Sequence, residues 1–108
     1  MRPVKNIGAE EALLGDDPIM RIMARSSTST WAEHFQQWVD DELNRGEDPK
    51  YLLFAIMAMQ VMTHSSVAAN LVEPGGYQAI ADSYKDLIDQ RWIRHAHLSR
   101  AYIESIEA

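Results

Sequence analysis

The chain has 108 residues, of which 46% are hydrophobic and 24% charged, and it contains no cysteine. Those proportions allow one compact domain over 1–108 and exclude a disulfide scaffold, thiol catalysis and cysteine-ligated metal. Sixteen acidic residues against ten Lys and Arg give a net charge of −6, the opposite of the balance that phosphate binding demands, so nucleic acid is not an expected partner.

Residues 1–15 include Pro3, Gly8 and Gly15 and carry a weak helical signal, which predicts a loosely ordered N-terminal segment. No apolar run precedes Glu10 and Glu11, so no secretory leader is read there and a cytoplasmic setting is the simplest expectation. Asp16-Asp17-Pro18 then has the form of a helix start, with Asp as N-cap and Pro at the first helical position. The helix it opens, with Ile19, Met20, Ile22 and Met23, is expected to be short. The hydroxyl run Ser26–Thr30 reads as a linker.

Thr30-Trp31-Ala32-Glu33 matches a capping box, in which the Thr30 hydroxyl caps and Glu33 reaches back. Trp31, Phe35, Trp38, Val39 and Leu43 follow at helical spacing, and Gly46 is placed to close the helix in the left-handed conformation. A helix over 31–45 is predicted. Asp48-Pro49 repeats the start signal for a helix from Pro49 to about Leu71. Its first half is apolar on every side, as in a helix surrounded by partners.

Residues 51–72 carry no charged side chain, which is long enough for a membrane span. The strongly apolar part, however, stops at Met62, and a run of that length points to a buried core helix. Glu73-Pro74-Gly75-Gly76 ends the segment, and a last helix is predicted from Tyr77 to Ser105. Tyr77, Ile80, Tyr84, Leu87, Arg91, His95, Leu98 and Tyr102 fall on one seam there, with Ile88, Trp92 and Ile103 beside it.

The sequence therefore predicts an all-α fold: an antiparallel three-helix bundle plus a short N-terminal helix. Short loops make sequential helices antiparallel. They set Trp38 near Ile56, Phe35 near Met59, and His95 near Phe54. Two neighbours cover only part of a helix that is apolar all round, so homodimerisation is expected to complete the fold.

No constellation in the sequence specifies catalysis. There is no Gly-x-Ser-x-Gly turn, no Gly-rich phosphate loop and no Glu-x-x-His, and His64-Ser65-Ser66 are helix neighbours that point apart. No cofactor is expected. The reading is a small acidic protein–protein interaction module, such as a regulator, adaptor or assembly factor. Its candidate partner-binding residues are Asp40, Asp41, Glu42, Glu47 and Asp48 on one side and Arg91, Trp92, Arg94 and Arg100 on the other. The two groups are expected to face each other within one subunit or across a dimer.

The alternative is a metal- or small-ligand site between the second and third helices, with His34, His64 and Glu33. Too few ligands are present to complete a metal site, and the simpler expectation makes His64 a hydrogen-bonded core residue. Arg91, Arg94 and Arg100 carry a weaker nucleic-acid reading. Met57, Met59 and Met62 suit a hydrophobic core, or an adaptable groove for a partner helix should the N-terminal helix detach.

Overall fold

A computed structural model describes residues 15–27 and 29–107 of the chain. Among them the fold is all-helical, with four α-helices and no strand: α1 (Pro18–Ser27), α2 (Thr30–Asn44), α3 (Pro49–Leu71) and α4 (Tyr77–Glu107), with a single 3₁₀ turn, Pro74–Gly76, ahead of α4. The expected loose segment 1–15 lies outside the described residues apart from Gly15. The chain divides into two compact units, Met1–Ile56 and Met57–Ala108, and α3 runs unbroken through the boundary.

The helix boundaries follow from local chemistry. Asp17 caps α1: its Oδ1 accepts from the Ile19 N–H at 2.9 Å while Pro18 fills the first helical position without needing a partner for an N–H. Asp48 caps α3 in the same way, its Oδ1 accepting from the Lys50 N–H at 2.8 Å. Each carboxylate satisfies a backbone donor that the helix cannot and sits at the positive end of the helix dipole.

The start of α2 differs from expectation by one residue. The N-cap is Ser29, in extended backbone, whose side chain accepts from the Trp31 N–H. Thr30 is the first helical residue, so Thr30 and Glu33 do not form a capping box. Ser29 prevails because its hydroxyl also donates to the Ser26 carbonyl at 2.7 Å, which ties the cap to the end of α1. The linker is correspondingly shorter than 26–30, since Ser26 and Ser27 remain in α1 and Thr30 is in α2.

The end of α2 is a complete Schellman motif. Gly46 has φ +91°. Its N–H donates to the Leu43 carbonyl at 3.0 Å, and the Glu47 N–H donates to the Glu42 carbonyl at 3.2 Å, so two carbonyls left over at the helix end find donors. A left-handed residue is required, and glycine adopts that conformation without a Cβ penalty.

Tertiary packing is sparser than the sequence predicts. In the first unit α1 packs on α2, and Ala24, Val39 and Leu52 are buried. Trp31, Phe35 and Trp38 form a row of rings along α2, with centroid separations of 5.6 and 5.9 Å. In the second unit the 3₁₀ turn folds onto the start of α4, and no described residue is buried. The seam expected along α4 is only half-buried at Ile80, Tyr84 and Tyr102 and exposed at Leu87, Arg91, His95 and Leu98.

The expected burial of α3 is likewise not found: apart from Leu52, its large apolar side chains stay accessible. The cause is geometric. An apolar stripe can be covered by one neighbour, whereas a helix apolar on all sides needs neighbours on all sides.

These local features predict two contrasts in urea unfolding followed by helical circular dichroism. Gly46→Ala should cost about 1–2 kcal/mol, because a Cβ in the left-handed region is strained, although open space surrounds it. Gly75→Ala, also in open space and at ordinary φ, should be neutral or stabilise by up to about 1 kcal/mol. Ser29→Ala should cost about 1 kcal/mol as a lost N-cap. Thr30→Ala, at the first helical position, should cost clearly less, and the reverse order would return the cap to Thr30.

Candidate functional site

Asp40, Asp41 and Glu42 are consecutive on α2, and each helical residue turns about 100° from the last. They therefore fan around the helix and do not form one face. Asp40 and Glu42 are half-buried and Asp41 is exposed. Asp41 accepts from Gln37 Nε2 at 2.8 Å, and Glu42 pairs with Arg45 at 3.4 Å. Asp48 is engaged as the α3 N-cap. Glu47 is exposed. The acidic cluster is thus partly occupied by local contacts within the first unit.

The basic residues belong to the second unit. Arg91, Trp92 and Arg94 are exposed on α4, so Arg91 does not occupy a buried seam position. Arg100 projects from the opposite side of the helix to Arg91, nine residues on. It forms a 3.0 Å ion pair with Glu104 in which both side chains are more than half exposed, a pair worth little in high dielectric. His95 lies 3.3 Å from the Ser99 hydroxyl through Nδ1. The stretch from Arg91 to Arg100 is therefore two surfaces of one helix.

His34 and Glu33 are exposed on α2, in the first unit, and His64 is exposed on α3, in the second. Among the described residues no three of His, Asp and Glu are grouped so as to hold a metal ion. His64 is not a buried core residue. Its ring lies against Tyr84 of α4, with centroids 4.8 Å apart at 31°. The contact joins α3 and α4 within the second unit. An open cleft of about 300 Å³ beside the pair is lined by His64, Ala79, Ile80, Ser83, Tyr84 and Leu87. It holds few polar groups and no arrangement of nucleophile, base and oxyanion donor.

The apolar surface of α3 is more open than that of a core helix. Tyr51, Leu53, Phe54, Met57, Val61 and Met62 are each more than half exposed, and Leu71 reaches 76%. Accessible apolar surface of this extent on one helix is unusual for an isolated soluble domain. By length and composition α3 is also the one described helix capable of crossing a membrane. The signal was present in the sequence as a helix without a polar face; whether its own chain would cover it was not legible.

No known family model, curated protein or solved structure matches the chain.

The His64–Tyr84 pair provides a direct test of how α3 is held to α4. His64→Ala should lower stability by about 0.5–1.5 kcal/mol, the usual range for a ring pair. His34→Ala, at an exposed position, should change it by less than about 0.5 kcal/mol. Equal effects in urea unfolding would remove the ring pair from the account.

Proposed function

We propose that the chain is a small, acidic, soluble interaction module without catalytic activity. It works by docking α3 against another protein surface, first of all a second copy of itself. The observation that carries this reading is the exposure of α3: Met62 and Tyr51 are each 67% accessible in a stretch with no charged side chain from residue 51 to 72. An apolar patch rimmed by polar residues is the usual signature of an association surface. The rim here is Glu47, Asp48 and Lys50 at one end of α3 and Glu73 at the other.

In the proposed assembly the partner surface supplies the neighbours that α3 lacks and so completes the helical bundle. Charged residues at the rim of such a contact favour correct partners and faster encounter more than they add affinity. Arg91, Trp92 and Arg94 are accessible for this role.

A second reading follows from the length and composition of α3, which would suit a membrane span. The polar content of its second half, with Gln60, Thr63, His64, Ser65, Ser66 and Asn70, weighs against lipid on all sides.

Fractionation and mass measurement distinguish the two. The soluble module should appear in the detergent-free supernatant at twice the chain mass by native mass spectrometry. Met62→Lys should shift it to monomer without loss of helix, since a charge at an exposed position costs the subunit little but is costly once desolvated. Recovery only in a membrane fraction resistant to alkaline extraction would replace this reading with the membrane one.

A further inference from the structure

An eight-residue pattern occurs twice in the chain. Met20-Arg21-Ile22-Met23-Ala24-Arg25-Ser26-Ser27 in α1 and Met59-Gln60-Val61-Met62-Thr63-His64-Ser65-Ser66 in α3 carry both methionines and both serines at the same positions, with Ile or Val third and Arg or His sixth. The likeness extends to the hydrogen bonding. Ser26 Oγ donates to the Met23 carbonyl at 2.7 Å, and Ser65 Oγ donates to the Met62 carbonyl at 3.0 Å. One copy lies in each compact unit, so each is a local element that needs nothing from the other.

In both copies the methionines stand three residues apart on an α-helix. That spacing puts them about 60° apart around the axis and about 4.5 Å apart along it, with Cβ atoms roughly 5–6 Å from each other. All four are exposed. A methionine side chain is unbranched and turns about three bonds, so two sulfurs at this spacing can meet at one point without any change in the backbone. Met57 provides the contrast. It is equally exposed, but the residues one turn away on its side are Leu53, Phe54, Gln60 and Val61, and Met59, two residues on, points away from it.

A pair of thioethers has a narrow chemistry. The group is neutral and soft and needs no deprotonation. It is a poor ligand for magnesium, calcium or zinc, which take oxygen, nitrogen or thiolate, and a good one for Cu(I). The surroundings discriminate in the same direction. No charged residue lies between 51 and 72, so no carboxylate of that stretch favours a hard ion at Met59 and Met62. Near Met20 and Met23, Asp17 is engaged as the helix cap, and Arg21 reaches back to the Gly15 carbonyl at 2.8 Å. A chain without cysteine has no thiolate to take a soft ion instead.

We propose that each pair, Met20 with Met23 and Met59 with Met62, binds one soft monovalent cation, Cu(I) or Ag(I), between its two thioether sulfurs. The two sites are independent of each other and of any docking by α3. Two ligands leave the rest of the coordination sphere open, which suits an ion that is taken up and passed on.

Silver nitrate is the probe, because Ag(I) has the same preference for sulfur and does not change oxidation state. It is titrated, in chloride-free buffer, into the full chain labelled with carbon-13 at its methionine methyls. The methyl signals of Met20, Met23, Met59 and Met62 should shift and saturate at two Ag(I) per chain, while that of Met57 stays nearly still. Met23→Leu and Met62→Leu keep the size and apolar character of the side chain. Each should abolish one of the two equivalents and weaken Ag(I) binding at the remaining methionine of its pair by roughly tenfold or more, since the second sulfur acts as an intramolecular ligand. A Met57 shift as large as those of Met59 and Met62 would reduce the pairs to exposed methionines and overturn the proposal. So would movement of the histidine ring signals in place of the methyls, or no response to excess Ag(I).

Discussion

A helix whose first half is apolar on every side is stabilised only where something covers it, and this constraint governs the whole chain. Residues 51–72 contribute no charged side chain, and all but the last of them lie in α3, a helix of 23 residues, about 35 Å long at 1.5 Å per residue. An amphipathic helix of that length would be stabilised by one neighbour along its apolar stripe. A helix apolar all round gains full stabilisation only when enclosed, since the free energy scales with the apolar area removed from water. In the first unit Leu52 is buried, and in the second His64 rests on Tyr84. Ile56 and Ala68 are half-buried, and the other α3 side chains remain exposed.

What the sequence made legible was local. Asp17 and Asp48 before proline, and Gly46 after a run of apolar periodicity, fix three helix ends, because each acts through hydrogen bonds within a few residues of itself. Ser29 shows the limit of that logic. Ser29 and Thr30 offer equivalent hydroxyls, and the choice was made by a contact to the preceding helix at Ser26, which the capping-box pattern does not contain.

Tertiary burial was not legible for a physical reason. Hydrophobic periodicity states which side chains would benefit from burial, and says nothing of whether the same chain can supply the surface. Tyr77, Leu87 and Leu98 lie on a well-formed seam of α4 and are nonetheless exposed. The candidate binding residues divide along the same line. Asp40, Asp41 and Glu42 looked like one acidic patch because they are adjacent in sequence, yet the helix turns them in different directions. Arg91 and Arg100 looked like one basic stretch and project from opposite sides. Adjacency in sequence becomes a shared face in a helix only at separations of three or four.

That rule bears on α3 as well. Read along the chain, its second half is a softening of the apolar run into Ser, Ala and Asn. Read around the helix, Ser65 and Ala69 share a side with Phe54 and Val61, while Leu53, Met57 and Leu71 are exposed on another. No one stripe is set apart for a single neighbour, and a helix of this kind gains full stabilisation only from surfaces on several sides.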